Sequence, residues 1–159
     1  MPITAKVEGM QEISEMLSKL EQDAPAAAAA GLYDGAGVMA AEISKGADAI
    51  QTAPFHYAKF ITRDPSPEEK AAVQNAVGIA KFDRNGSEVN TSVGYGNAGY
   101  ADVAGKQKPI AQIANAINSG TSFMRKQPFV RKAASRGAKR AEEATIRTIE
   151  ERLNKITEG

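Results

Sequence analysis

Apolar residues recur at helical spacing near the start of the chain. Over residues 10–22 they fall every three or four positions, as on one face of an amphipathic helix. The residues on that face are Met10, Ile13, Met16, Leu17 and Leu20. Residues 3–7 alternate instead between apolar and polar, and Gly9 follows them. The pattern predicts a short strand and then a one-faced helix.

A second helix is predicted over residues 25–50. Asp23 followed by Pro25 is a helix start signal, because Asp caps free N–H groups and Pro fits the first turn. Residues 26–30 are all alanine. The glycines that follow this run are Gly31, Gly35 and Gly37. Because an interior glycine costs roughly 1 kcal/mol relative to alanine, we expect either close packing of another helix, from this subunit or another, or a kink near Gly35.

The clearest strand pattern covers residues 77–82 and 88–95. A five-residue loop between them contains Asn85 and Gly86, a pair favoured in hairpin turns. Alternate positions of the second arm share one face, and they are Val89, Thr91, Val93 and Tyr95. An antiparallel hairpin with one buried face is therefore predicted, and residues 100–104 add a third short strand.

Three further helices are predicted. Ser66 as N-cap with Pro67 in the first position indicates a short helix that ends near residue 75. Isoleucines at helical spacing indicate another over residues 109–117. A final helix over residues 128–157 would be about 45 Å long. Its first half is basic and its second half has an apolar stripe, which we expect to pack on the first two helices and the sheet.

These elements predict an α+β fold in a single domain over residues 1–159. A small antiparallel sheet would pack against an N-terminal helix pair and a long C-terminal helix. The parts are the helices at 10–50, an irregular segment at 53–67, the hairpin at 77–95 and the loop and helix at 109–157. The chain has no Cys, no leader-like apolar run and no segment of transmembrane length. We therefore expect a soluble cytoplasmic protein with no membrane partner.

The net formal charge is +1, but the charges are segregated along the chain. Residues 8–23 hold five acidic residues against Lys19 alone, whereas residues 103–141 hold nine basic residues and no acidic one. Those basic residues are Lys106, Lys108, Arg125, Lys126, Arg131, Lys132, Arg136, Lys139 and Arg140. Such segregation favours head-to-tail contact between copies or contact with an acidic partner. Two solvated faces that meet nothing are the alternative.

Residues that could carry chemistry are few. His56 is the only histidine, and without Cys or a partner motif we interpret it as a packing or surface residue. Residues 94–99 read GYGNAG, which matches the letters of the dinucleotide-binding fingerprint. That fingerprint needs a helix directly after it. The segment that follows is too short to form one and is bounded by glycines, so we interpret the stretch as a turn. The sequence predicts no catalytic residue, cofactor or metal site, and we expect the protein not to be an enzyme.

A turn followed by a helix start carries a resemblance to a known family. Gly120 and Thr121 are followed by six residues and then by Pro-Phe-Val-Arg-Lys-Ala at positions 128–133. The Val-Glu-Gly-Met stretch at 7–10 and the two helical patterns after it also fit. On these residues the chain resembles the small neck or tail-completion proteins of long-tailed bacteriophages, the minor tail protein Z-like group. Position 118 is Asn, where that group usually has an acidic residue.

The resemblance implies a structural virion role. Such a subunit forms a ring, a hexamer or dodecamer of itself, and joins the head connector to the tail during assembly in the host cytoplasm. The implied partners are the head connector or adaptor and the tail terminator or tube, with transient contact with passing DNA. We expect the protein interface to use Gly120, Thr121, Arg125, Lys126, Pro128, Phe129 and Arg131. A nucleic-acid-binding module that uses residues 106–140 is the alternative function.

Overall fold

Helix α1 runs from Met10 to Asp48 as one element. The computed structural model describes residues 10–53, 62–85 and 88–159, so the predicted strand at 3–7 lies outside the described residues. The prediction of two N-terminal helices is wrong, because Pro25 lies inside α1. Its missing N–H leaves one carbonyl unpaired, that of Glu21, which is exposed and can bond to water. The alanines that follow are the strongest helix formers and carry the helix through.

Helix α4, Phe129–Glu158, packs antiparallel along α1. A Cβ atom on Gly31 would lie 2.5 Å from Ile149 Cγ1, and one on Gly35 would lie 2.8 Å from the Ala141 carbonyl oxygen. The predicted close approach is therefore confirmed at these two glycines, and the approaching helix belongs to the same chain. Gly37 faces away, and no described atom lies within 4 Å of a Cβ placed there.

The predicted hairpin forms, with its ladder divided in two. Strand β1 (Gly78–Ile79) pairs antiparallel with β4 (Val93–Gly94), and β2 (Asp83–Asn85) pairs antiparallel with β3 (Glu88–Asn90). The register shifts by one residue between the two ladders, as it does at a β-bulge. The prediction of a five-residue loop is wrong, because strand pairing continues to residues 85 and 88. Only two positions remain for the turn, and both lie outside the described residues.

The second arm of this hairpin has the predicted buried face. Tyr95 is buried and Val89, Thr91 and Val93 are half-buried, whereas the intervening Ser92 is exposed. At the register shift the Thr91 hydroxyl donates to the Ala80 carbonyl at 2.9 Å, which satisfies a backbone acceptor beside the bulge. The alternation of residue types was therefore sufficient to predict which face turns inward.

A second hairpin follows directly. Strand β5 (Tyr100–Val103) confirms the predicted third strand, and it pairs with β6 (Lys106–Pro109), which the sequence analysis missed. Ala104 and Gly105 between them have φ angles of 53° and 76°, as a tight hairpin turn of the primed type requires. Residues 94–99 thus lead from one strand into another, and the prediction of a turn there is confirmed.

The two short helices have the predicted positions. Helix α2 (Pro67–Gln74) begins with a capping box, in which the Glu69 N–H donates to Ser66 Oγ at 3.2 Å and the Ser66 N–H donates to Glu69 Oε2 at 2.9 Å. Helix α3 spans Ile110–Ser119 and buries its isoleucines. The α+β fold is therefore confirmed, with the described strands arranged as three two-stranded sheets.

The core lies around the C-terminal end of α1 and the start of α4. Its buried members are Ile43, Ala47, Ile50, Val73, Tyr95, Val103, Ile110, Ile113, Ala114, Ile117, Met124, Phe129 and Ala133. The basic first half of α4 contributes to this core, while Ile146 in its apolar half is 47% exposed. The apolar half packs on α1, as expected, because Thr145 and Ile149 lie against Gly31. The expectation that it also packs on the sheet is wrong, since the main packing of α4 among the described elements is with α1. No helix in the described ranges combines the length and apolarity needed to cross a bilayer.

Candidate interface at the α3–α4 junction

Helix α3 ends at Gly120 because the backbone there adopts a φ of 77°, which favours glycine. The Gly120 N–H donates to the Ala116 carbonyl at 2.9 Å. A Cβ on Gly120 would lie 2.9 Å from Lys126 Cβ, since the chain folds back over this point. Backbone angle and packing therefore both require glycine.

The hydroxyl of Thr121 fixes the loop that follows. Thr121 Oγ1 accepts the N–H of Phe123 at 3.2 Å and that of Met124 at 3.0 Å. The Thr121 N–H in turn donates to the Met124 carbonyl at 3.0 Å. The turn directs Met124 into the core, with 6% of its surface exposed, and leaves Phe123 outside with 68% exposed. The Gly120–Thr121 pair thus determines which side chains the loop presents to solvent.

Helix α4 has no cap from its own N-cap residue, which is Pro128. Asn118 at the end of α3 supplies one, because its Oδ1 accepts the N–H of Val130 at 3.1 Å and that of Arg131 at 3.4 Å. Both belong to the first turn, where backbone N–H groups have no intrahelical partner. The loop between the two helices has the length needed to bring this side chain onto the helix start. No local sequence signal predicts this role of Asn118, because the residues that it caps lie on the next helix.

The same loop is tied to the segment before α2. The Arg63 N–H donates to the Phe123 carbonyl at 2.9 Å, and the Arg125 N–H donates to the Arg63 carbonyl at 2.8 Å. The Arg63 guanidinium donates to both carboxylate oxygens of Glu69, at 2.6 and 2.7 Å, and Lys108 Nζ lies 3.7 Å from that carboxylate. The loop is therefore fastened to α2 and β6 as well as to α3.

Glu69 is charged despite being only 2% exposed. Burial raises the pKa of its carboxyl group, but the Arg63 hydrogen bonds, the Ser66 N–H and the Lys108 charge together outweigh that effect, so the pKa lies below its usual value. The carboxylate therefore acts as a fixed anchor for Arg63.

The start of α4 is anchored on its other side to the end of α1. The Gln51 N–H donates to Gln127 Oε1 at 2.8 Å, and Gln127 Nε2 donates back to the Gln51 carbonyl at 3.0 Å. Phe129 is 5% exposed, and its ring centroid lies 6.2 Å from that of Tyr95 in an edge-to-face arrangement. The angle of α4 is therefore set by packing of Phe129 in the core and by the two hydrogen bonds between the Gln127 side-chain amide and the Gln51 backbone.

The seven candidate residues separate into two groups. Contacts within the chain account for Gly120, Thr121, Pro128 and Phe129. The side chains of Arg125, Lys126 and Arg131 are exposed. Arg125 Nε lies 3.5 Å from Asp64 Oδ1 with 60% of its side chain exposed, so this pairing is weak. The first group forms the junction, and the second group is what the junction presents to solvent.

A cleft of about 310 Å³ lies beside the junction, between the end of α1 and the start of α4. Its apolar lining includes Ile50, Pro128 and Phe129. Its cationic lining consists of Arg125, Lys126, Lys132 and Arg136, and no described acidic residue lines it. We call this the basic cleft. Lys132 and Arg136 were not among the predicted interface residues, although their spacing from Phe129 along the helix is a signal for a shared face.

Two basic residues of segment 103–141 form ion pairs with an acidic residue of α1. Arg140 donates to Glu42 Oε1, Arg136 Nε lies 3.8 Å from Glu42 Oε2, and Glu42 is 7% exposed. Gly137 provides the space, since a Cβ there would lie 3.0 Å from Glu42 Cγ. Among the described residues Lys126, Arg131 and Lys132 have no ion-pair partner, which leaves the positive charge concentrated at the junction.

No group of His, Asp or Glu in the described part of the chain is arranged to hold a metal ion, and His56 lies outside that part. Comparison of the chain with protein-family models, with curated proteins and with solved structures gives no match.

Proposed function

We propose that this chain is a structural virion subunit of a tailed bacteriophage, a neck or tail-completion protein that forms a ring and joins the head connector to the tail. The observation that carries the proposal is the junction from Asn118 to Arg131. Gly120 and Thr121 shape the loop, and Phe129 anchors the helix after it. The motif behind the family resemblance therefore has a physical purpose here, which is to aim a helix and a set of cations.

The way in which the junction is fastened suits docking. Its loop is bonded to the segment before α2 through Arg63, to α1 through Gln51 and to α4 through Asn118. Backbone that is already ordered loses little entropy when a partner binds. Arg125, Lys126 and Arg131 would then meet an acidic surface of the head connector or the tail from a fixed position. The protein would act in the neck or tail of the virion, after assembly in the host cytoplasm.

Deletion of the gene from the phage or prophage that carries it tests the proposal. We expect electron microscopy of the lysate to show filled heads and tails that are not joined, and joined particles when the wild-type gene is supplied in trans. The triple variant Arg125→Glu, Lys126→Glu, Arg131→Glu should fold but not restore joining. Lys106→Glu on the exposed β5–β6 hairpin is the matched control and should restore it. Infectious particles in the deletion lysate would refute the proposal.

A nucleic-acid-binding function is the second candidate, favoured by the three junction cations that lack ion-pair partners. If about six phosphates are neutralised on duplex DNA, log K should fall against log salt with a slope near −5. The measurement is fluorescence anisotropy of a labelled duplex over a salt series. A response that is flat or absent would exclude this function and leave protein docking.

A further inference from the structure

Helix α1 extends past the end of α4. Gly31 lies against Thr145 and Ile149, and in the same antiparallel register Asp23 lies beside Lys155. Helix α4 continues past Lys155 to Glu158, so only residues 10–19 project beyond it. At 1.5 Å per residue this projection is roughly 15 Å long, and we call it the α1 overhang.

The α1 overhang has an apolar stripe that none of the described residues of its own chain covers. Ile13 is 54% exposed, Met16 is 40% exposed and Leu17 is 59% exposed. Their spacing places all three on one face of the helix. A single helical segment in water gains little from propensity alone and is stabilised mainly by packing of its apolar face. The stripe is therefore a surface that needs a partner.

The charges around the stripe are mostly acidic. Glu12 and Lys19 share one edge of it, Glu21 lies about a quarter turn to the other side at the base of the overhang, and Glu15 lies at the back. All four side chains are exposed. The overhang is thus an amphipathic helix with an apolar centre and a net negative charge.

We propose that the α1 overhang of one copy docks in the basic cleft of the next copy. This inference deepens the proposed function, on which it rests, by naming the contact that would build the ring. The accessible lining of the cleft is apolar at Ala49 and Pro128 and cationic at Lys126 and Lys132, so it complements the overhang in both respects. Insertion of an amphipathic helix into a groove is a common mode of recognition.

The partner is a second copy because a chain cannot make this contact with itself. Leu17 and Ile50 are separated by roughly 50 Å along one continuous helix. The overhang and the cleft therefore lie at opposite ends of the α1–α4 pair. A contact between different surfaces of identical subunits is heterologous, and it produces a closed ring or an open filament according to the rotation between copies.

Charge reversal of the full-length chain tests the contact. Glu12→Lys with Glu21→Lys should weaken self-association at least tenfold, and so should Lys126→Glu with Lys132→Glu. The two reversed proteins should associate with each other when mixed, because the mixture contains one pair of unaltered surfaces and one pair in which both signs are reversed. Sedimentation velocity over a concentration and salt series is the measurement, and added salt should weaken the wild-type association.

Matched controls lie elsewhere on the surface. Glu88→Lys and Lys106→Glu reverse exposed charges on the hairpins and should leave association unchanged. Leu17→Ser should weaken association roughly tenfold to a hundredfold, as expected for one buried leucine. Phe123→Ser, which removes an apolar side chain that is 68% exposed outside the cleft, should have no effect.

The inference is overturned if the wild-type protein is a monomer at every concentration, if the reversals leave association unchanged, or if the mixed pair fails to associate. These outcomes are distinct from failure of the proposed function. If the protein is a monomer but deletion of its gene still leaves heads and tails unjoined, the virion role stands and this contact is excluded. If the protein self-associates through these surfaces but the deletion lysate contains normal particles, the contact stands and the virion role is excluded.

Discussion

Asn118 Oδ1 lies 3.1 Å from the backbone nitrogen of Val130 and caps helix α4 from the end of α3. The cap is non-local, because twelve positions separate the two residues. It explains why Pro128, which offers no side-chain cap, can stand at the helix start. A carboxylate at position 118 could accept the same hydrogen bonds, which gives a physical reason for the acidic residue usual there in the phage family that the motif resembles.

Asn118→Ala should lower the free energy of unfolding by about 1 kcal/mol, since the first-turn N–H groups lose their acceptor. Asn118→Asp should match or exceed the wild type, because a negative charge at a helix N-terminus contributes about 0.3–1 kcal/mol. Urea denaturation followed by circular dichroism measures both. Asn154→Ala, at an exposed position of α4, controls for loss of an amide. Equal stabilities of the Ala and Asp variants would contradict the capping role.

Gly35→Ala should destabilise the chain by about 1–3 kcal/mol, since the added methyl group meets Thr145 and the Ala141 carbonyl oxygen. Gly37→Ala is the matched control two residues away. It meets no described atom and replaces a poor helix former, so it should stabilise the chain by up to about 1 kcal/mol. Thermal unfolding of the two variants should therefore give shifts of opposite sign. Shifts of the same sign would contradict the close approach of α1 and α4.

Glu69 should make stability depend on pH in the acidic range. Its folded-state pKa lies below the ordinary value of 4.5, so its contribution is complete above that value and is lost as the pH falls through the folded-state pKa. Glu69→Gln should lack this acid-dependent part and should cost about 1–3 kcal/mol at pH 7, because the half-buried Arg63 loses a charged acceptor that it bonds through two hydrogen bonds. Urea unfolding between pH 7 and pH 3 provides the profile. Glu88→Gln removes an exposed carboxylate and serves as the control.

Tyr95→Phe should leave stability unchanged or raise it by up to about 1 kcal/mol. The Tyr95 hydroxyl is buried and has no hydrogen-bond partner among the described residues, and the same burial raises the pKa of Tyr95. The ring, which packs against Phe129, is retained in the variant. Tyr95→Ala removes that ring and should cost about 3–5 kcal/mol. A marked loss of stability in Tyr95→Phe would reveal a partner for the hydroxyl.

Elements defined by neighbouring residues could be predicted from the sequence. The capping box of Ser66 and Glu69 lies within four residues, and the buried face of the arm ending at Tyr95 follows from simple alternation. The prediction of a helix start at Pro25 was wrong, because Pro25 lies inside α1. The helix continues through it since water can satisfy the carbonyl that the missing N–H leaves unpaired. Strand β6 was missed because Lys106–Pro109 has no alternation of apolar and polar side chains and depends on pairing with β5.

The candidate site was only partly predictable for the same reason. Gly120 and Thr121 could be selected, because a positive φ and a hydroxyl-bonded turn have local sequence signatures. The cap from Asn118 and the basic cleft depend on segments that are distant in sequence. Ile50 and Lys132 meet only because α1 and α4 run antiparallel over their length. Local patterns cannot specify such a meeting point.

Helix α1 is continuous through Pro25, and its two ends carry the basic cleft and the overhang. In the proposed contact between copies, the number of turns in this helix would therefore set the distance between successive copies. One turn corresponds to about 5.4 Å of that distance. In a closed ring, the diameter would therefore be encoded in the length of a single helix.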